Sequence, residues 1–329
     1  MRYIEKFGWG YILTAKDETM VFKTKDKNIQ FKIEGEAILT ITGTGYIATK
    51  IFEEPESIRN RLQLIFKTKG SSKGAYIFNS DVMKLRLKQA QYYKDKKKRF
   101  ELAKKFVLSG IINKIGLLRH FSVVLNQDAL FNEDIEKLYN EKKKLESLDN
   151  ANINEIMGIE GTAARHYFQA ITKIIPAEFN FEGRTKRPPT DPLNAALSYG
   201  YVITANKISE FLKQAGFNTK IGYLHEFGRG RDSLALDLLE EFRQPIVDMA
   251  TIPLIIKHIL NPKTCFTISG GRALLNKLGK RHFTKALNIS LFRRKRDILY
   301  QVDLLAQALL NDSKYTPYCM QQKESDYDK

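Results

Sequence analysis

Two side chains far apart in the sequence have the chemistry of metal ligands. Glu160 lies in an otherwise apolar and small-residue stretch, Ile156–Arg165, and a partly buried carboxylate needs a cation or several hydrogen-bond donors. His225 ends an apolar run and precedes a glycine-spaced basic loop. Taken alone, such a histidine is more often a hydrogen-bonded core residue than a ligand. His166 would lie about 120° from Glu160 on a helix, so we interpret it as structural.

A third segment, Ser233–Arg243, adds more carboxylates. If it is one helix, four polar side chains share a wedge of roughly 100°; they are Ser233, Asp237, Glu240 and Glu241. Like charges at this spacing repel one another. Two interpretations stay open: an amphipathic helix whose acidic face meets solvent, or carboxylates gathered around a divalent cation. The second is favoured if Glu160 and His225 converge there.

A set of two glutamates and a histidine, without cysteine, favours Mg²⁺ or Mn²⁺ over structural zinc. Beside a bound nucleic acid, such an ion would polarise the phosphoryl oxygen and orient an attacking hydroxyl. The residues therefore suggest metal-dependent phosphodiester chemistry. The competing hypothesis is a DNA-binding scaffold without catalysis, whose binding would weaken with salt but would not need a divalent ion.

The charge distribution indicates a polyanionic partner. The 329 residues include 54 Lys and Arg against 37 Asp and Glu, a net charge of +17. Residues 151–243 carry 11 basic and 11 acidic side chains, so the excess lies in the flanking regions. Basic flanks attract phosphate through counterion release. Single runs such as Lys96–Arg99 and Arg293–Arg296 are also typical of solvated helix faces.

The elements that position these residues change in character near residue 80. Residues 1–50 alternate between apolar and polar positions with glycine-containing gaps, which predicts a small antiparallel sheet. Beyond Asn79–Asp81 apolar residues recur every three or four positions, which predicts helices. Asp191 and Pro192 have the pattern of an N-cap and a first helical residue. We predict an α+β fold with a β-rich domain at 1–79 and an all-α catalytic domain at 80–329.

Composition also excludes several classes of protein. Two cysteines, Cys265 and Cys319, are too few for a disulfide scaffold, and we expect both to be structural. No run of about 18 uncharged apolar residues exists, so we expect no membrane span. Glu5 and Lys6 come too early for a signal peptide. We therefore expect a cytoplasmic protein.

Four segments together resemble the CRISPR-associated spacer-acquisition integrase, the first Cas protein ("Cas one"). They are Gly158–Arg165, Arg187–Tyr201, Gly222–His225 and Leu234–Arg243. Tyr315–Tyr318 is similar to the C-terminal end of that family. The similarity covers residues 80–320 well and residues 1–50 loosely.

The resemblance implies that three residues bind Mg²⁺ or Mn²⁺ and are catalytic: Glu160, His225 and Glu240. It also implies supporting roles for Asp237, Tyr199, Tyr201 and Asn194. The basic residues that we predict to contact phosphates are Arg184, Arg187, Arg229 and Arg231.

The implied reaction inserts a short foreign DNA segment, a spacer, into a CRISPR array. The 3′ hydroxyl of the captured duplex attacks a phosphodiester at the edge of a repeat, and water in its place gives hydrolysis. The implied partners are double-stranded DNA (prespacer and CRISPR repeat or leader), a second copy of the chain, and the small ferredoxin-like "Cas two" protein in a heterohexamer. A transposon-borne relative would use the same residues on mobile-element ends.

One departure from the family concerns the N-terminal domain. After Gly43–Thr49 the family usually has a helix and a further sheet segment. Here Phe52–Glu56 interrupts, and the loop Gly70–Gly74 follows soon after. We therefore expect a shortened N-terminal domain.

Overall fold

The computed structural model describes ten segments of the chain: residues 2–4, 10–16, 19–24, 28–32, 37–42, 62–67, 80–149, 152–185, 188–228 and 230–320. Contacts between residues divide the chain into two units. One is Met1–Gln89 with Phe211–Asn218, and the other is Ala90–Glu210 with Thr219–Lys329. All the candidate site residues described below belong to the second unit. The predicted boundary near residue 80 stays a prediction.

The described residues before residue 80 form six strands: β1 (Arg2–Ile4), β2 (Gly10–Lys16), β3 (Thr19–Thr24), β4 (Asn28–Lys32), β5 (Ala37–Thr42) and β6 (Leu62–Lys67). Strands β2, β3 and β4 form an antiparallel sheet, as predicted. Strands β1, β5 and β6 pair in parallel, so the antiparallel prediction is wrong for them. Alternation identifies strands, whereas the direction of pairing depends on the connection: short links allow hairpins, and parallel strands need longer ones.

Strand β6 also corrects the expectation of a shortened N-terminal domain. It pairs with β5 in the register Leu39↔Leu64, so a sheet segment does follow residue 50. The strand suggested by Tyr76–Phe78 lies outside the described residues.

The prediction of an all-α domain is wrong at residues 266–275, where Gly270 and Gly271 adopt positive φ and allow a two-residue hairpin turn. The rest of the chain from residue 80 is mainly helical, as predicted. Its helices are α1 (Ser80–Lys94), α2 (Lys96–Val124), α3 (Asn132–Ser147), α4 (Ile153–Thr172), α5 (Pro192–Gln214), α6 (Ser233–Leu239), α7 (Met249–Ile256), α8 (Pro262–Cys265) and α9 (Lys277–Leu310). A 3₁₀ turn lies at Ala177–Phe179 and a π-helix at Arg243–Asp248. Strands β7 (Phe266–Ser269) and β8 (Arg272–Leu275) form an antiparallel hairpin. Asp191 caps α5 as expected, with its Oδ1 accepting the Asn194 N–H at 2.8 Å.

Helix α2 forms the centre of the core. Asp95 caps it by accepting two backbone N–H groups at 3.0 Å, and the helix packs against α3, α4 and α6. By length and composition it would suffice to cross a membrane, contrary to our expectation from the sequence, although 61% of its most apolar window is buried inside the protein. The core helix of a globular protein satisfies the same test, so this is weak evidence for a span.

The predicted helix over Ser233–Arg243 is wrong in its last turn. Helix α6 ends at Leu239, and the π-helix starts at Arg243. Pro245 supplies the reason, because it has no N–H to donate to the carbonyl of Glu241 in an α-helix. That carbonyl instead accepts from Asn113 Nδ2 at 2.8 Å. The break separates the carboxylates that a continuous helix would place together.

Candidate active site

Glu160 is presented by the buried face of α4. Asn152 caps this helix by accepting the Asn154 N–H at 3.0 Å. Ile156 and Ala163, four residues before and three after Glu160, are fully buried, while Glu160 itself is half-buried. Residues at these spacings share a helical face, so the core contacts of α4 fix the direction of the glutamate.

His225 is held in place by Asp237. The buried Asp237 carboxylate lies 2.8 Å from His225 Nδ1 and accepts three consecutive backbone N–H groups, those of Tyr223, Leu224 and His225. A neutral imidazole that donates from Nδ1 keeps its lone pair on Nε2, the arrangement typical of a metal-binding histidine. Asp237 thus orients both the ring and the loop that carries it.

This loop needs a glycine at Gly222. A Cβ there would lie 2.8 Å from the His225 carbonyl oxygen and 2.9 Å from Asp237 Oδ2, closer than ordinary contacts allow. Arg99 of α2 fixes the next residue by donating from Nε to the Tyr223 carbonyl at 2.9 Å. The close packing at Gly222 and the bond from Arg99 therefore fix the conformation of the loop before α6.

Glu240 and Arg243 form a two-point salt bridge. Arg243 Nε lies 2.9 Å from Glu240 Oε2, and Nη2 lies 2.8 Å from Oε1. Glu240 is only 2% exposed, and the Arg243 guanidinium carbon lies 4.7 Å from the centre of the Tyr201 ring. This burial excludes the interpretation of a solvent-facing acidic helix, as does the full burial of Asp237 and Glu241.

The electrostatics connect the three predicted ligands through Arg243. Burial favours protonation of Glu240, but Arg243, His225 and Lys114 outweigh it and lower its pKa. Burial disfavours the Arg243 cation, but Glu240, Tyr201 and Glu160 outweigh it and raise its pKa. Glu160 and Glu240 therefore both act on one guanidinium, and His225 acts on Glu240. We refer to the side chains linked by these charge interactions as the cluster; the direct contacts among them and their neighbours are those of His225 with Asp237 and of Glu240 with Arg243.

The protonation of His225 reflects the same neighbours. Burial lowers the pKa of the imidazole, but the hydrogen bond and charge of Asp237, aided by Glu240, raise it above its ordinary value. A metal ion requires the neutral ring, so binding must release a proton at acid pH.

The residues present are of the kind that hold Mg²⁺ or Mn²⁺. Two carboxylates and an imidazole are suitable donors, and the Arg243 guanidinium already binds Glu240 and is attracted by the charge of Glu160. Within the described part of the chain, no three His, Cys, Asp or Glu side chains lie close enough as placed to share an ion. Both oxygens of Glu240 are occupied by Arg243.

A buried carboxylate that the sequence reasoning missed, Asp248, lies next to this cluster. It accepts hydrogen bonds from the hydroxyls of Tyr201 at 2.6 Å and Tyr167 at 2.9 Å. Its burial raises its pKa against the effect of these bonds and of the cations Arg243 and Lys114. The available signal was a lone acid within an otherwise apolar stretch, the same signal that identified Glu160.

The predicted supporting residues have different environments. Tyr201 is buried and its hydroxyl is bonded to Asp248, whereas Tyr199 faces α9, with its ring 5.9 Å from that of Phe283. Asn194 is fully buried and organises the loop before α5: its Nδ2 donates to the Gly183 carbonyl at 2.8 Å. Their supporting roles stay predictions.

The predicted phosphate contacts also differ in accessibility. Arg184 is half-buried and donates to Asn194 Oδ1 at 2.7 Å and to Ser198 Oγ at 3.0 Å. Arg231 is exposed in the loop before α6. Arg187 and Arg229 lie outside the described residues.

The C-terminal segment contacts the neighbour of Glu240. Glu241 Oε1 lies 2.7 Å from the Tyr315 hydroxyl, and Oε2 accepts the Tyr318 N–H at 2.7 Å. Burial raises the pKa of Glu241 to about 8. The Tyr315 hydroxyl also lies 2.8 Å from Gln301 Oε1. The Tyr315 hydroxyl has one proton but two oxygen neighbours, so it can donate to only one of them. A protonated Glu241 donates to Tyr315, which leaves the Tyr315 proton for Gln301 Oε1 and gives every oxygen in this row of hydrogen bonds a partner.

The sequence itself belongs to a known family. The family model of the CRISPR associated protein Cas1 matches residues 6–288, so the chain belongs to the Cas1 family. It is 36% identical over 177 residues to CRISPR-associated endonuclease Cas1 1 of Thermus thermophilus, a match over 50% of this chain and 56% of that protein. To the CRISPR-associated endonuclease Cas1 of Mycobacterium tuberculosis it is 29% identical over 310 residues, 90% of this chain and 89% of that one.

Solved structures show the same fold. A Cas1 protein from Thermotoga maritima, 25% identical, superposes with a TM-score of 0.63 over 96% of this chain and 97% of that one. A casposase bound to integration product gives a TM-score of 0.74 at 21% identity, over 94% of this chain and 96% of that one. At these identities the likeness to the casposase concerns the fold alone.

Proposed function

We propose that the protein is a metal-dependent DNA endonuclease and integrase that inserts spacers into a CRISPR array. The observations that carry the proposal are the buried Glu240 carboxylate paired with Arg243 and the His225 imidazole oriented by Asp237, with Glu160 acting on the same guanidinium through its charge. Membership of the Cas1 family, whose curated relatives are named endonucleases, supports the same function. The reaction is attack of a 3′ hydroxyl on a phosphodiester at a repeat edge, with water as the hydrolytic alternative.

In this proposal Glu160, His225 and Glu240 hold the ion. Bound Mg²⁺ or Mn²⁺ supplies Lewis-acid polarisation of the scissile phosphate. Asp237 keeps His225 in the tautomer with a lone pair on Nε2. Lys114, 2% exposed, helps to keep Glu240 ionised. Exposed basic residues such as Arg231 contact the DNA backbone.

We further propose that the protein acts as a homodimer with a small Cas2 partner on duplex DNA. The support is its fold, which it shares with a chain of a partial Cas6-RT-Cas1–Cas2 complex at a TM-score of 0.71 and 22% identity. The net charge of +17 suits a duplex substrate. The fold likeness to a casposase favours a second candidate, a transposon-type integrase with the same catalytic residues.

A strand-transfer assay on supercoiled plasmids tests these functions. One plasmid carries a CRISPR repeat with its leader and the other does not, and the donor is a short duplex. We expect integration at the repeat edge with Mn²⁺, none with chelator, and a loss of at least about 100-fold for Glu160→Ala, His225→Ala and Glu240→Ala. Asp303→Asn, an exposed position on α9, is the matched control.

The alternatives give different results in this assay. Metal-dependent integration that ignores the repeat favours the transposon-type enzyme. Salt-sensitive DNA binding without strand transfer, with or without metal, indicates a non-catalytic scaffold. Full activity in any two of the three alanine variants contradicts the site assignment.

A further inference from the structure

The salt bridge between Glu240 and Arg243 occupies the carboxylate that the proposed metal needs. Both Glu240 oxygens accept from Arg243, at 2.8 and 2.9 Å, in a position where Glu240 is almost completely removed from water. The Arg243 side chain is 23% exposed, so it has a route towards solvent that Glu240 lacks. Of the two partners, the arginine is the more accessible to solvent.

We propose, on the basis of the metal-dependent function above, that Arg243 is a resident cation that a divalent ion must displace from Glu240. A carboxylate oxygen that already accepts a short charged hydrogen bond has reduced capacity for a metal. In addition, a guanidinium and a divalent ion in adjacent positions repel one another strongly in a buried site. The two cations therefore compete for one carboxylate.

Arg243 and Glu240 each have other favourable neighbours when Arg243 is displaced from Glu240. When Arg243 leaves Glu240 it still has the face of Tyr201, 4.7 Å from its guanidinium carbon, and the attraction of Glu160. Glu240 keeps a positive neighbour in the buried Lys114, which favours its ionised form. Without metal, Arg243 thus pairs with the buried charge of Glu240. The same pairing weakens the affinity of the site for a metal ion.

Mn²⁺ binding to the full-length protein without DNA tests this exchange. Free Mn²⁺ is followed by its electron paramagnetic resonance signal at pH 7.5, for the wild type, Arg243→Gln and Arg243→Lys. Removing the competing charge should tighten the Mn²⁺ dissociation constant by about tenfold or more in Arg243→Gln. Arg243→Lys, which keeps the charge but not the two-point geometry, should lie between that variant and the wild type. Arg294→Gln removes another arginine with a carboxylate partner three residues away, Asp297 at 3.2 Å, and should bind like the wild type.

Thermal unfolding gives a second measurement that does not depend on activity. Arg243→Gln should have a lower Tm than the wild type without metal, because Glu240 loses its partner, and saturating Mn²⁺ should raise its Tm by more than it raises that of the wild type. Unchanged or weaker Mn²⁺ binding by folded Arg243→Gln, with binding still abolished by Glu240→Gln, overturns the exchange but leaves the metal site intact. Mn²⁺ binding that Glu240→Gln does not alter instead overturns the proposed site.

Discussion

At the scale of single residues, the site consists of carboxylates that each have their own partner. Asp237 is paired with His225, and Glu240 with Arg243. Glu241, one position on, points instead to Tyr315 and the C-terminal segment. The adjacent acids Glu240 and Glu241 therefore contact different parts of the protein, although a helical wheel placed them on the same face. The division follows from the backbone break after α6.

The link between Asp237 and His225 predicts a change in the pH profile of strand transfer. Activity should fall in acid, because a protonated ring cannot bind metal, and the raised pKa of His225 places this fall at higher pH than for an ordinary histidine. Asp237→Asn removes the charge that favours the imidazolium. The acid limb should then shift to lower pH, with a lower maximal rate because the imidazole is held less firmly.

Rates measured from pH 5 to 9 at fixed Mn²⁺ test this shift. Asp297→Asn, a partly exposed acid on α9, should keep the wild-type profile. An acid limb for Asp237→Asn that stays at the wild-type position shows that Asp237 does not act through the imidazole.

At the scale of elements, the junction between α6 and the π-helix is held by the C-terminal segment. Asn113 of α2 binds the Glu241 carbonyl and accepts the Met320 N–H on its Oδ1 at 2.6 Å. Tyr318 stacks on Phe242, with ring centres 5.0 Å apart. The C-terminal segment and α2 thus enclose Glu241, the residue next to Glu240, and limit the movement of Glu241.

Glu241 predicts how stability depends on pH. Its pKa is about 8 in the folded protein and about 4.5 in an unfolded chain. The folded state therefore binds the extra proton, and the free energy of unfolding should fall as pH rises from about 4.5 to about 8, then level off with respect to this group. Glu241→Gln imitates the protonated carboxyl and should remove this slope, gaining on the order of a few kcal/mol at pH 8.

Urea unfolding at pH 5, 6.5 and 8 provides the comparison. Glu136→Gln, an exposed position on α3, should keep the wild-type slope. If Glu241→Gln is less stable than the wild type at pH 8, Glu241 is ionised in the folded protein, and the proposed hydrogen bonds from Glu241 to Tyr315 and from Tyr315 to Gln301 are wrong.

At the scale of the whole molecule, the sequence predicted most of the helical part. The change of hydrophobic period near residue 80 and the cap at Asp191 both correspond to observed features, the start of α1 at Ser80 and the hydrogen bond at the start of α5. These features are local, and periodicity reports local structure. Glu160 and His225 stood out by their sequence surroundings and the set with Glu240 came from the family resemblance, but their role as ligands stays a prediction.

What the sequence did not predict depends on distant partners. The parallel pairing of β1 with β5 joins segments separated by more than 30 residues, and alternation carries no information about it. The pairing of Glu240 with Arg243 was available from their spacing of three, but the carboxylates were considered only as a solvent-facing surface or as ligands of a cation. Asp248 acquires its role only from tyrosines on α4 and α5.

The central claim is that Glu160, His225 and Glu240 share one divalent ion. A crystal of the protein grown with Mn²⁺, with data collected at the manganese absorption edge, tests it directly. The account predicts one anomalous peak per chain in contact with all three side chains, with Arg243 no longer bonded to Glu240. A peak bound elsewhere, or no peak at saturating Mn²⁺ while Arg243 stays on Glu240, would contradict it.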